Sequence, residues 1–217
     1  MSDIVNRCRI VLVAPDISDP VIAGEIMGNA LRGGDVASVI LPQYAMDDSG
    51  FQKYLETLVP IVQKANVAAF VAGDSRAAVR VKADGLHIAE GMDVFEDAIG
   101  RFSPDMMVGG GRAKDRHSAL QIGEMRPDYI FFGKLEGDIK DEAHPKNIAL
   151  AEWWASLVEI PCVVMAGQAI ESIVDVAESG AEFVALRLAV FAVPDQAPQM
   201  VAEANALLDE KAPRFGR

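Results

Sequence analysis

Residues 161–186 read PCVVMAGQAIESIVDVAESGAEFVAL, and this stretch contains one complete structural repeat. Pro161–Met165 is a short β-branched run of the kind that suits a parallel strand buried on both faces. Ile170, Ile173, Val174 and Ala177 then recur at helical spacing, and Gly180 stands where a left-handed cap would end such a helix. Glu182–Leu186 begins a second strand. A strand, an amphipathic helix and another strand in so short a span predict a βαβ unit.

The same rhythm extends in both directions. Strands are expected at Arg9–Ala14, Val36–Leu41, Val67–Val71, Asp84–Ile88, Asp105–Val108, Asp128–Phe132, Pro161–Met165 and Glu182–Leu186. Between them, Asp19-Pro20 forms a cap followed by proline in the first helical turn, and Ile22, Ile26 and Ala30 make a stripe that Gly33-Gly34 ends. Phe51, Tyr54, Leu55, Leu58 and Val62 make a second stripe, and Met200, Ala204, Leu207 and Leu208 a last one. No Ser/Gly linker or change of composition interrupts the series, so residues 1–217 are expected to form one domain. Eight such units predict a compact (β/α)8 TIM barrel. An open doubly wound sheet is less suited, because the first turn, Ala14-Pro15-Asp16-Ile17, has no glycine fingerprint.

Composition narrows the function. The 217 residues carry 20 basic and 32 acidic side chains, a formal charge of −12, which disfavours nucleic acid and anionic membrane as partners. A small molecule is the expected partner, with self-association left open. The polar N-terminus and the lack of any long apolar run predict a cytoplasmic protein. Cys8 and Cys162 lie in apolar stretches outside any ligand-type cluster and read as buried free thiols.

Barrel chemistry gathers where the strands end. There the chain offers Gly73-Asp74, Glu90-Gly91-Met92-Asp93, Gly109-Gly110-Gly111-Arg112, Gly133-Lys134, Ala166-Gly167-Gln168 and Arg187. Gly167 lets backbone approach a phosphate at a helix start, and Arg187 is a candidate partner for it, although a plain turn glycine fits the same position. Asp74 and Asp93 follow neighbouring strands and could share a Mg²⁺; each equally suits a helix cap. His87, inside a strand, reads as a core histidine more readily than as a base, and neither His117 nor His144 has a nucleophile partner. Lys134–Asn147 is the longest connection, either a lid or a solvated charged loop.

Taken in order, these segments resemble the thiamine phosphate synthases, a family whose relatives include the thiazole tautomerases. Ala83–Ile88 (ADGLHI) is similar to the family's "ADGVHLGQ", with Gly73-Asp74 before it and Asp93 after it in the places of two acidic positions. Arg126–Gly133 (RPDYIFFG) resembles "GADYIGFGP", Lys140 falls where the "TxTK" lysine lies, Met165-Ala166-Gly167 resembles "IGG", and Ser179–Ala185 resembles "AGADGVAV". The resemblance implies a transfer in which a hydroxymethylpyrimidine diphosphate loses its diphosphate with Mg²⁺ and a thiazole phosphate captures the cation. It implies Mg²⁺ on Asp74 and Asp93, diphosphate on Lys140, and thiazole phosphate on Gly167. The family's "QxRxK" after the second strand has no counterpart, since Val39-Ile40-Leu41-Pro42-Gln43 bears no charge, and the tautomerase histidine is absent. Arg112, Lys114 and Lys134 are the bases that could replace the missing pair. The alternative expectation is a degenerate relative that binds a phosphorylated metabolite without catalysing the transfer.

Overall fold

In the computed structural model, which describes residues 6–111 and 113–215, eight parallel strands close into a barrel in chain order. The strands are β1 Arg9–Val13, β2 Ser38–Pro42, β3 Ala68–Ala72, β4 Gly85–Ile88, β5 Met107–Gly110, β6 Tyr129–Phe132, β7 Cys162–Met165 and β8 Phe183–Leu186. The helices are α1 Pro20–Ala30, α2 Asp48–Lys64, α3 Ser75–Val81, α4 Met92–Phe102, α5 Arg116–Glu124, α6 Pro145–Ala155, α7 Ile173–Glu178, α8 Leu188–Phe191 and α9 Ala197–Lys211. Closure is made by β1 against β8, with Arg9 opposite Phe183 and Leu12 opposite Leu186. The expected (β/α)8 TIM barrel is therefore the observed architecture.

Alternation along each strand divides the apolar residues into two cores. Val11, Val13, Ile40, Phe70, Tyr129, Phe131, Val163, Met165 and Ala185 fill the barrel. Leu12, Val39, Leu41, Leu86, Ile130, Phe132, Val164 and Leu186 join the layer beneath the helices. The interior aromatics need space, and Gly85 and Gly109 provide it: a Cβ on either would collide with the ring of Phe70 or Tyr129. This corrects the reading of Gly109-Gly110 as loop, because both belong to β5 and pair with His87 and Ile88.

The acids that precede three strands tie the opposite, N-terminal face together. Asp84 accepts from the Ala69 N–H at 2.8 Å, Asp128 from the Val108 N–H at 2.7 Å, and Glu182 from the Cys162 N–H at 2.9 Å. Each satisfies a backbone donor of the preceding strand.

Helix α1 begins as expected: Asp19 accepts from the Val21 and Ile22 N–H groups, and Pro20 occupies the first turn. Its buried face differs from the expected stripe. Ala23, Gly24, Met27 and Ala30 are buried, whereas Ile22 is 50% exposed. The reason is the close approach of α2, since a Cβ on Gly24 would lie 2.9 Å from the Ile61 side chain. In α2 the expected Phe51, Tyr54, Leu55, Leu58 and Val62 are all fully buried. Gly180 has the left-handed backbone anticipated for it, with φ +86°. No helix among the described residues is long and apolar enough to cross a membrane.

Candidate active site

The turns after β2 to β6 enclose a cavity of about 420 Å³ at the C-terminal mouth of the barrel, lined in part by Gln43, Tyr44, His87, Glu90, Phe131 and Lys134. Strand β4 brings His87 to its floor. The ring is wholly buried, its Nδ1 lies 2.8 Å from the Tyr129 hydroxyl, and the Phe131 ring meets it edge-on at 5.1 Å between centroids. Burial pushes the imidazole down to about 3, so His87 is neutral at physiological pH. Tyr44, carried on a left-handed turn residue, donates its hydroxyl to the Ala14 carbonyl at 2.6 Å, and burial pushes that phenol up to about 12. The cavity therefore pairs an aromatic, uncharged floor with a single lysine among its lining residues, Lys134, at the rim.

The residues in and just after β2 divide between two faces. Val39 and Leu41 point to the helices, whereas Ile40 points into the barrel and Pro42 and Gln43 reach the cavity. A shift of one residue exchanges the faces of a strand, so the inward positions are Ser38, Ile40 and Pro42. None is basic. Gln43 is held by donating to the Met46 carbonyl and the Asp48 carboxylate and by accepting from the Asp74 N–H.

The expected acidic pair is not gathered into a metal centre. Asp74 caps α3, its Oδ1 accepting from the backbone and side chain of Arg76 at 3.0 and 3.2 Å. Asp93 is exposed in the first turn of α4, its carboxylate folded back towards Gly91. Among the described residues no three His, Cys, Asp or Glu side chains are grouped as metal ligands. Of the two, Asp74, directly after the cavity-lining Gly73, is the better placed carboxylate towards the rim cavity.

Lys140 also lies elsewhere. Its side chain enters an outer groove of about 900 Å³ with Ile148, Asp175 and Glu178, away from the rim cavity. The cause is local: the backbone carbonyls of Lys140 and Asp141 turn inward to accept from the Gln168 and Ala169 N–H groups at 2.8 and 3.1 Å, which directs the Lys140 side chain outward. Lys134 lines the rim cavity, Lys114 lines a neighbouring cleft, and Arg112 lies outside the described residues.

Gly167 and Arg187 occupy the β7–β8 corner expected for phosphate, and both are already engaged. The Gly167 N–H donates to Ser172 Oγ at 2.9 Å, and a Cβ on Gly167 would collide with the Asp141 carbonyl. Arg187 donates from Nε and Nη2 to Asp138 Oδ1 at 2.9 and 2.6 Å, while Asp138 Oδ2 accepts from the Leu188 N–H at 2.7 Å. Asp138 was not singled out in the sequence, where it is one of several acids in a charged loop with nothing to distinguish it.

Known proteins resemble this chain along most of its length. The family model for thiamine monophosphate synthase matches residues 10–190. A thiamine-phosphate synthase of Rhodospirillum centenum is 30% identical over 204 residues, covering 93% of this chain and 98% of the relative. Another thiamine-phosphate synthase, from Hyphomonas neptunium, is 27% identical and covers 95% and 96%. The structure of a thiamine phosphate pyrophosphorylase from Pyrococcus furiosus superposes with a TM-score of 0.79 at 18% identity, covering 94% of this chain and 97% of that one, a likeness of fold.

Proposed function

The chain belongs to the thiamine monophosphate synthase family, and on that premise we propose that its rim cavity joins a hydroxymethylpyrimidine diphosphate to a thiazole phosphate with release of diphosphate. The match of the family model to residues 10–190 carries this reading, and it favours a transferase over the non-catalytic phosphate binder that the missing bases suggested.

In this reaction the bond from the pyrimidine's exocyclic carbon to the diphosphate oxygen breaks, and its electron pair leaves with the diphosphate. The lone pair of the thiazole nitrogen forms the new C–N bond. No proton moves and no protein nucleophile is required, which suits a site whose floor holds a neutral His87. The work of the protein is alignment and charge stabilisation. Phe131 and His87 underlie the uncharged floor on which the pyrimidine would rest, and Lys134 at the rim would meet the diphosphate. Mg²⁺ remains part of the proposal as an ion whose ligands come largely from substrate oxygens and water, with Asp74, next to the cavity-lining Gly73, a carboxylate that could contribute one more.

Comparison of two lysine variants tests this placement. Lys134→Ala removes a charge-assisted contact worth about 1.5–3 kcal/mol, so kcat/KM for thiamine phosphate formation should fall roughly ten- to a hundredfold. Lys140→Ala, whose side chain lies in the outer groove, should remain within about threefold of the parent. The reverse order would move the diphosphate to the other face of the loop.

A further inference from the structure

The loop between β6 and α6 supplies acceptors that close the β7–β8 corner from outside it. Asp138 gives both carboxylate oxygens to Arg187 and Leu188, and the carbonyls of Lys140 and Asp141 take the Gln168 and Ala169 N–H groups. Asp138 has no exposed side-chain surface and Arg187 has 12%. Three residues of this segment thus present one carboxylate and two carbonyls to a guanidinium and three backbone donors. This is the acceptor pattern of an oxyanion, delivered by the chain itself.

We propose that Asp138 is an internal surrogate for substrate phosphate, so that residues 138–141 form a strap over the β7–β8 corner which a phosphate must displace in order to bind Arg187. The inference rests on the proposed transferase reading for the identity of the phosphate. Its physical basis is the exchange itself. A lone buried carboxylate is costly, so Asp138 is retained only while Arg187 faces it. A phosphate dianion offers Arg187 more charge and more acceptor atoms than a carboxylate does. All the strap's contacts come from one short segment, so leaving Arg187 also frees Gln168 and Ala169 as donors for the incoming anion. The closed fraction lowers the apparent phosphate affinity, because only the open form is competent. Asp138 is in this sense an affinity-determining residue for the phosphorylated substrate.

Inorganic phosphate is the probe, and no turnover is needed. Calorimetric titration should show that Asp138→Asn binds phosphate at least roughly tenfold more tightly than the parent, since the competitor has lost its charge. In the parent protein, phosphate should accelerate tryptic cleavage after Lys140 in a saturable way, and chloride at equal ionic strength should not. This second measurement decides the matter if the variant does not fold. Equal phosphate affinity in a folded Asp138→Asn, or a cleavage rate indifferent to phosphate, overturns the strap. A normal phosphate response without thiamine phosphate formation would instead overturn the transferase reading and leave the strap standing.

Discussion

His87 shows how far burial alone can redirect a residue. Its Nδ1 is satisfied by Tyr129 and its ring is enclosed by aromatic neighbours, so the structure keeps it neutral by desolvation. The folded value of about 3 lies below the unfolded value of 6.5, so the unfolded chain takes up this proton first as pH falls. Stability from this residue is complete above 6.5 and is lost progressively towards 3, by at most about 1.4 kcal/mol per pH unit. Thermal unfolding at pH 7.5 and 5.5 should therefore differ more in the parent than in His87→Gln; equal differences would contradict it. Asp74 gives a second expectation at this scale. With one oxygen engaged by Arg76 and no cluster of three ligand-type side chains among the described residues, it should bind Mg²⁺ too weakly to register by calorimetry at low millimolar ion, until diphosphate is added. Strong binding by the free protein would show a preassembled centre.

At the level of elements, sequence pattern located every strand, because runs such as Pro161–Met165 and Asp128–Phe132 have few ways to bury themselves other than as parallel strands. What it missed has physical causes. The end of β5 was hidden because Gly109 and Gly110 lack strand propensity and are present to admit neighbouring side chains. The α1 face was misjudged because proximity to α2 selected Ala23 and Gly24 over the larger Ile22. Asp138 was illegible because its significance depends on Arg187, 49 residues later, and on the path of the loop between them. The acids before β4, β6 and β8 lie within recognisable motifs, yet they anchor the N-terminal ends of neighbouring strands, on the face opposite the rim cavity. Asp128→Ala should accordingly cost about 1.5–3 kcal/mol in chemical denaturation while leaving kcat within about twofold, since the Val108 N–H loses a charged acceptor. A large fall in kcat at unchanged stability would place Asp128 in the site instead.

Over the whole molecule, the barrel separates stability from chemistry: anchoring carboxylates on one face, an aromatic cavity and Lys134 on the other. The charge of −12 makes that arrangement demanding, because a diphosphate must approach an acidic protein and find few fixed cations among the described residues of the rim. The family places this chain among thiamine biosynthesis transferases, and under the proposed reading its site would rely on alignment and on Lys134 more than on a cluster of bases. The most direct test incubates the purified protein with the hydroxymethylpyrimidine diphosphate, the thiazole phosphate and Mg²⁺, and measures thiamine phosphate and free diphosphate in the same samples. The account predicts that both accumulate in equal amounts and only when both precursors are present. Diphosphate release without thiamine phosphate, or no product at enzyme concentrations comparable to substrate, would contradict it.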